Sequence, residues 1–433
     1  MKNNILVYIV FLFLLPLTTR GQWVSTPGKP QEKAIILKGG TIHLGNGEVL
    51  ARTDLVFEDG LIKAVGTDLT VESDMEVIDV VGQHVYPGLI LPDSRIGLTE
   101  ISAFRATSDY AEEGEYLPNI NTAYAYTVDS EVIPTLRFNG VLVAEVAPSG
   151  GVISGVSSVM ELDGWNWEYA LVQSAGMHLN WPAKKSRRFD RASGAITLED
   201  SKSYPETVSE LKSMFSDAIS YGERAEKNRN LKLEAMQPLL NRKMKLFIHC
   251  EDAYGIVESV RYFKSLSLDG LVIVTGEAAL KVKDFLAEEK VPVVLPPTLS
   301  LPGGIDMDYD MRYKLPALLT KAGVKVALSH AGSITESRNL PFYAGVAAAF
   351  GLEKEEALKL VTSNTADILG VGDLMGTLEV GKQATLLISK GDIMEIATND
   401  VVQAFIRGQK TVLKNKQQEM YEKYAEKYAD EKD

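Results

Sequence analysis

A chain of 433 residues is too long for one small core, and a hydrophobic content of 45% is ample for a globular barrel with a second layer. The formal charge of −13 gives no reason to expect nucleic acid as a partner, since a phosphate backbone needs a concentrated basic surface and the sequence shows none. The lone cysteine, Cys250, permits no internal disulfide, and the fold must rest on its core.

The chain opens with "MKNN", the apolar run "ILVYIVFLFLLPL" and then "TTRGQ". A basic start, a run too short for a comfortable membrane span and small residues before a cut read as a secretory signal peptide over residues 1–21. The expected location is periplasmic or secreted, with no stable membrane span after cleavage. The absence of a cysteine near the cut argues against a lipid anchor. Next, "AIILKGGTIHLGNGEVL" and "DLVFEDGLIKAVG" alternate apolar and polar residues between glycine turns, which predicts short antiparallel strands. Further on, "VLVAEV", "LFIH", "LVIV", "VPVVL" and "VKVALS" recur between helix-like pieces, as buried parallel strands do. "GGVISGVSS" reads as a tight loop after the first of these. Residues 203–236 read as a charged, solvated outer layer. At the far end, Tyr421, Tyr424 and Tyr428 recur at helical spacing, and residues 416–433 are expected to form a helix docked on its own chain.

Two stretches carry a resemblance. Tyr86-Pro87-Gly88-Leu89-Ile90 introduces Leu91-Pro92-Asp93-Ser94-Arg95. Near the back, "EEALKLVTSNTADILGVGDLMGTLEVGKQATLLISKGD" presents Asn364, Gly370, Gly376, Leu378, Gly381, Lys382 and Ala384 in a recognisable pattern, with Thr385 where an aspartate is usual. Together they resemble the amidohydrolase superfamily, and imidazolonepropionase-like members in particular, from about residue 35 to residue 412. The resemblance implies an α/β fold: a TIM-like (β/α)8 barrel over residues 85–370, and a small β-sandwich built from both ends of the chain, residues 22–84 and 371–415.

The frame is intact but its usual ligands are not. Superfamily members typically read P-G-L-I-D-x-H-x-H, so Asp93 and Arg95 occupy the two histidine positions. A guanidinium stays protonated and only donates, so Arg95 cannot bind zinc. His249 stands where the resemblance places a ligand or substrate-contacting histidine after the fifth strand, its rival role being a hydrogen bond to Glu251 or Asp252. The next expected histidine falls near Thr275 or Gly276. After the eighth strand, Ser329 is followed by His330 where an aspartate is usual. No lysine stands at the end of "VLVAEVAPSGG" to become a carboxylated bridging ligand, and Glu145 is the oxygen donor on offer there. The expected catalytic residues are therefore His330 and Asp93, with His249, Arg95, Trp165 and Trp181 against the substrate. Cys250 reads as a core residue, since adjacent strand side chains point to opposite faces.

No cofactor is expected on this reading, zinc held by Asp93, His249 and His330 being the alternative. The function expected first is a divergent homologue, catalytically weak or inactive, that binds a small-molecule ligand or assists a related enzyme. The alternatives are an active hydrolase of carbon–nitrogen bonds in cyclic amides or acyl amino acids with a non-standard site, and a structural or interaction protein. A homo-oligomer is left open.

Overall fold

The computed structural model describes residues 27–189, 196–224, 228–302 and 307–429. Its first domain is one sheet assembled from both ends of the chain. β1 (Ile35–His43), β2 (Val49–Glu58) and β3 (Leu61–Gly66) form an antiparallel meander, with β4 (Glu76–Asp79) and β5 (His84–Pro87) parallel to β1. Alternation puts Leu37, Leu55, Phe57 and Ile62 on one buried face, as period-2 sequence dictates. The C-terminal strands Leu386–Ser389, Val401–Ile406 and Gln409–Lys410, which close the strand count as β16, β17 and β18, extend the same sheet. Leu386 pairs with Pro87 and Ser389 with His84, and the Phe405 ring meets Phe57 edge-on at 5.1 Å. Gly88 joins this sheet to the barrel. Its N–H donates to the Thr385 carbonyl at 2.9 Å, and a Cβ there would stand 2.9 Å from Leu142 and Thr385 side-chain atoms. The close approach explains the glycine.

The second domain is the barrel. Between the domains' sequences lie β6 (Leu89–Ser94), β7 (Val141–Val146), β8 (Ile153–Glu161), β9 (Leu171–Asn180), a separate hairpin β10 (Lys185–Phe189) and β11 (Ile196–Asp200), then β12 (Lys245–His249), β13 (Leu271–Val274), β14 (Val293–Leu295) and β15 (Val326–Leu328). Around the barrel the order is β6, β7, β8, β9, β12, β13, β14, β15, and Ser329 Oγ donates to the Asp93 carbonyl at 3.1 Å where the last strand meets the first. The α/β barrel with a second sheet domain agrees with expectation.

One strand departs from it. β8 runs antiparallel to both β7 and β9, and it is the stretch that the sequence presents as a loop. Its residues are buried on both faces, so "ISGVSSVME" shows no alternation to announce a strand. Gly150 and Gly151, at φ 98° and 62°, make the tight turn before it. Because β8 is inverted, the residues after it emerge at the base of the barrel. Trp165 is there, 66% exposed, and is not part of the mouth.

Inward-facing residues stack in layers, as a packed barrel core requires. Ile90, Val143, Val159, Phe247, Val272, Val294 and Ala327 fill the lower lumen, closed from below by Ala366, Ile368 and Leu369 of the helix Ser363–Leu369. Outward-facing Ile248, Ile273 and Leu295 pack on the helix layer. The helix Tyr204–Glu223, α1, buries Val208, Leu211, Phe215 and Ala218 against it, so the charged segment is solvated on one face only. The helix Lys416–Ala429, α2, buries none of its residues, and Tyr421 is 75% exposed. The expected docking of its tyrosine stripe on its own chain is thus corrected. Its hold is polar, through the Asn415 cap on Gln418 N–H and a Lys416–Glu131 ion pair at 3.1 Å.

Charge is buried at the seam between the domains. Asp163 accepts from Arg137 at 2.8 Å, Thr411 Oγ1 at 2.8 Å and Gly28 N–H at 3.0 Å, while Glu161 pairs with Arg407 at 2.6 Å. Burial pushes the Glu161 carboxyl up to about 7, against the opposing charge of Arg407. The folded state therefore holds this proton longer than the unfolded chain, whose ordinary value is 4.5. Stability from this group is full below pH 4.5 and is lost as pH rises through 7, by roughly 3 kcal/mol. Glu161→Gln is expected to flatten that fall, matching the parent at pH 4.5 and exceeding it at pH 8 in urea melts. Parallel profiles for the two chains would remove Glu161 as the cause.

Candidate metal centre

Three strand ends bring the chemistry together. Asp93 lies at a register shift near the end of β6, with φ at 46°, a left-handed conformation that costs energy in a non-glycine residue. Its N–H donates to Glu145 Oε2 at 2.9 Å. His178 projects from β9 with its ring flat against Phe247, 4.7 Å between centroids and 3° between planes. His249 ends β12, the next strand round the barrel. Donor atoms of Asp93, His178 and His249 all lie within 4.8 Å of one another.

Glu145, from β7, stands directly below and is fully buried. It accepts from His178 Nε2 at 3.1 Å and from Ser157 Oγ at 2.6 Å, in addition to Asp93 N–H. Burial alone raises a carboxyl, but the hydrogen bond and charge of His178, with the Ser157 and Asp93 donors, outweigh it and hold Glu145 below its ordinary value. An ionised Glu145 fixes the His178 proton on Nε2. The His178 Nδ1 lone pair is left aimed at His249 Nε2, 2.9 Å away. Burial lowers the His249 pKa, with the charge of Asp93 opposing it and those of His178 and Arg95 adding to it, so this imidazole favours its neutral form.

Two imidazoles and one carboxylate therefore converge, with a second carboxylate behind one imidazole. That donor set fits a divalent ion of the zinc type, and the Glu145–His178 contact is the outer support that such ligands need.

The sequence places Asp93 and His249 here, and the structure brings them together. It removes His330. Ala327 of β15 and Ser329 just past its end face inward, whereas His330 turns outward, its Nδ1 on Tyr343 Oη at 2.8 Å and its Nε2 3.5 Å from Glu336. Strand parity sends the serine, not the histidine, to the lumen. Trp181 packs in the helix layer against Phe263 at 6.0 Å and is 4% exposed, so it lines no pocket. Arg95 is at the mouth, with its guanidinium carbon 4.0 Å over the Tyr110 ring. His249 contacts His178, while Asp252 caps the following helix through Gly255 N–H at 2.8 Å. Glu145 offers its oxygens to His178 and the Asp93 backbone. Cys250 faces the core, its thiol pushed up to about 12 by burial, and has no reactive character. Two surface clefts of about 300 and 410 Å³ share Lys245, Asp269 and Gly270 at the opposite, basal end, away from the histidines.

His178 is the residue that sequence reasoning missed. Its strand, "LVQSAGMHLN", carries Gln173 and Ser174 and so lacks the apolar run that marks the others. Recognising β8 and β9 as a hairpin is the signal that would have found it.

Comparison with known proteins agrees with the barrel fold. The family model for the amidohydrolase family matches residues 309–412. Imidazolonepropionase of Flavobacterium johnsoniae is 30% identical over 155 residues, and that of Flavobacterium psychrophilum 29% over 149. Each alignment spans 34% of this chain and 34% of the curated relative, about a third of either length. An amidohydrolase structure from Thermotoga maritima MSB8 superposes with a TM-score of 0.76 at 22% identity, covering 87% of this chain and 99% of that one. The back of the chain is thus similar to the amidohydrolase family, and most of the chain shares the fold of an amidohydrolase structure. The matched residues contain the "EEALKL" to "LLISKGD" stretch that carried the resemblance.

Proposed function

We propose that this protein is a hydrolase with a reduced metal centre, held by Asp93, His178 and His249, acting on a carbon–nitrogen bond. The observation that carries the reading is the convergence of those three donor groups over a buried, ionised Glu145. A divalent ion bound there supplies Lewis-acid activation of water or a carbonyl. The chain's own residues do the rest. Glu145 keeps the His178 proton on Nε2 and Ser157 steadies Glu145, while the Ser329 hydroxyl and the Glu145 carboxylate pin the Asp93 backbone from both sides. Names of relatives support a cyclic amide as substrate, since the curated matches are imidazolonepropionases. The signal-peptide reading of residues 1–21, which lie outside the described residues, supports a periplasmic or secreted location; among the described residues no helix is long and apolar enough to cross a membrane.

A second reading has its own support. Arg95 stands on a ligand position and His330, where an acid is usual, turns outward to Tyr343, which favours a weakened homologue that binds a small ligand or assists a related enzyme. One experiment separates metal from no metal. The full chain, offered zinc and then dialysed, is expected to retain about one equivalent by elemental analysis, and His178→Ala or His249→Ala to retain almost none. Equal zinc contents in the parent and both variants would remove this centre. Turnover of hydantoins by the zinc-loaded parent then distinguishes the active from the weakened form.

A further inference from the structure

We propose that Arg95 is the receptor for a substrate carboxylate, so that the centre takes compounds bearing an acidic group beside the scissile carbon–nitrogen bond. This rests on the hydrolase reading of the Asp93–His178–His249 centre. Arg95 follows Asp93 by two residues, past the end of β6. Two chain segments fix its guanidinium. The Tyr110 ring lies 4.0 Å from the guanidinium carbon, Nη2 donates to Ser149 Oγ at 3.3 Å, and Ser149 N–H donates to the Tyr110 carbonyl at 2.8 Å, which locks the two supports to each other.

That seat holds the group in place without satisfying it. A guanidinium carries five N–H donors, and a single hydrogen bond of Arg95 accounts for one. Among the described residues no carboxylate lies within ion-pair distance of it, whereas Arg137, Arg312 and Arg407 each meet an acid at 2.8, 2.6 and 2.6 Å. A half-buried, aromatic-backed fork with open donors matches a planar carboxylate, which it can grip through two parallel hydrogen bonds.

Charge balance selects the same ligand. Asp93 and Glu145 bring two negative charges to the centre and Arg95 one positive charge, so a divalent ion leaves a single positive charge over. One carboxylate neutralises it, while a phosphate dianion would overshoot. Placing the receptor beside the ligand strand also orients the substrate, because an anchored acid limits how the adjoining amide can present itself.

Calorimetry on the full chain tests this, with and without zinc, using hydantoin-5-acetate against hydantoin-5-acetamide and N-acetylglycine against N-acetylglycinamide. The acids are expected to bind at least about tenfold more tightly than the amides. In Arg95→Met the preference should fall to within about twofold with zinc content unchanged, and Arg95→Lys should fall between, keeping the charge without the fork. Preference that survives in Arg95→Met, or that the parent lacks in both zinc states, overturns the assignment. Zinc retained with no preference for acids sinks this inference alone. Preference for acids with no zinc retained sinks the metal reading and leaves Arg95 as the receptor.

Discussion

Glu145→Ala is expected to cost the protein its metal and much of its stability together. The carboxylate is fully buried and satisfies three donors, so its removal strands the His178 Nε2–H and the Asp93 N–H without solvent to replace it and leaves the Ser157 hydroxyl only the Gly176 carbonyl, 3.1 Å away. Breaking a buried charged partnership of this kind costs roughly 3–5 kcal/mol. Loss of the outer support to a ligating histidine lowers metal affinity by about 10- to 100-fold. Glu145→Gln separates the two effects. It keeps the volume and one acceptor oxygen but cannot fix the His178 proton, so metal affinity should fall while the melt stays cooperative. Since the Glu145 carboxyl sits below its ordinary value of 4.5, its contribution is present above that pH and is lost as pH falls through the folded value. Zinc titrations and urea melts of the two variants decide the matter. Parent-like zinc affinity in Glu145→Gln would show that His178 does not depend on this carboxylate.

A chain ending at Gly370 is expected to lose cooperative folding altogether. Such a cut removes β16, β17 and β18 from the middle and edge of the composite sheet and exposes β5 and the core face of β1. Leu378, Leu386, Ile388 and Phe405 leave the buried cluster that holds Leu37, Leu55 and Phe57. At about 1.5–3 kcal/mol for each large side chain, the loss is roughly 6–12 kcal/mol, comparable with the 5–15 kcal/mol that typically holds a domain folded. Val371 and Met375 also vanish from the base of the barrel, so damage crosses the seam. Circular dichroism melts would show it. A shortened chain with the parent's melting temperature and steepness would mean that the front strands stand by themselves.

What the sequence discloses depends on how a residue's environment repeats. The composite sheet is legible because half-buried strands alternate, and the parallel strands because both of their faces are apolar. Gly88 is legible as part of a phrase, although its reason, the squeeze between Leu142 and Thr385, needs coordinates. β8 is hidden because burial on both faces admits serines that are hydrogen-bonded inside, Ser157 to Glu145 and Ser158 to Asn121 at 3.0 Å, and serine-glycine runs imitate loops. His178 is hidden because the first half of β9 is only partly buried and carries Gln173 and Ser174, which break the apolar run. For His330 the difficulty is different: the sequence correctly gives a strand end, but which of Ser329 and His330 faces inward depends on a one-residue parity that the apolar run "VKVALS" leaves undetermined. The tyrosines of α2 repeat as a buried stripe would, yet periodicity describes a face without naming what covers it.

The inverted strand has a consequence for the chemistry that concerns orientation alone. Every antiparallel step reverses which end of the barrel a strand's last residue reaches, and the step from β7 to β8 is one such reversal. The step from β8 to β9 is a second, and the two cancel. His178 thus reaches the same rim as Asp93 and His249 because the number of reversals before it is even. A single reversal would have delivered its imidazole to the basal end, beside Lys245, and left the rim with two donors. The hairpin that disguised β8 is therefore the arithmetic that completes the ligand set. It also hands the turn after β8, through Asp163 and its bonds from Gly28 and Thr411, to the neighbouring domain as a foothold, so that the rim has one loop fewer and the seam one more.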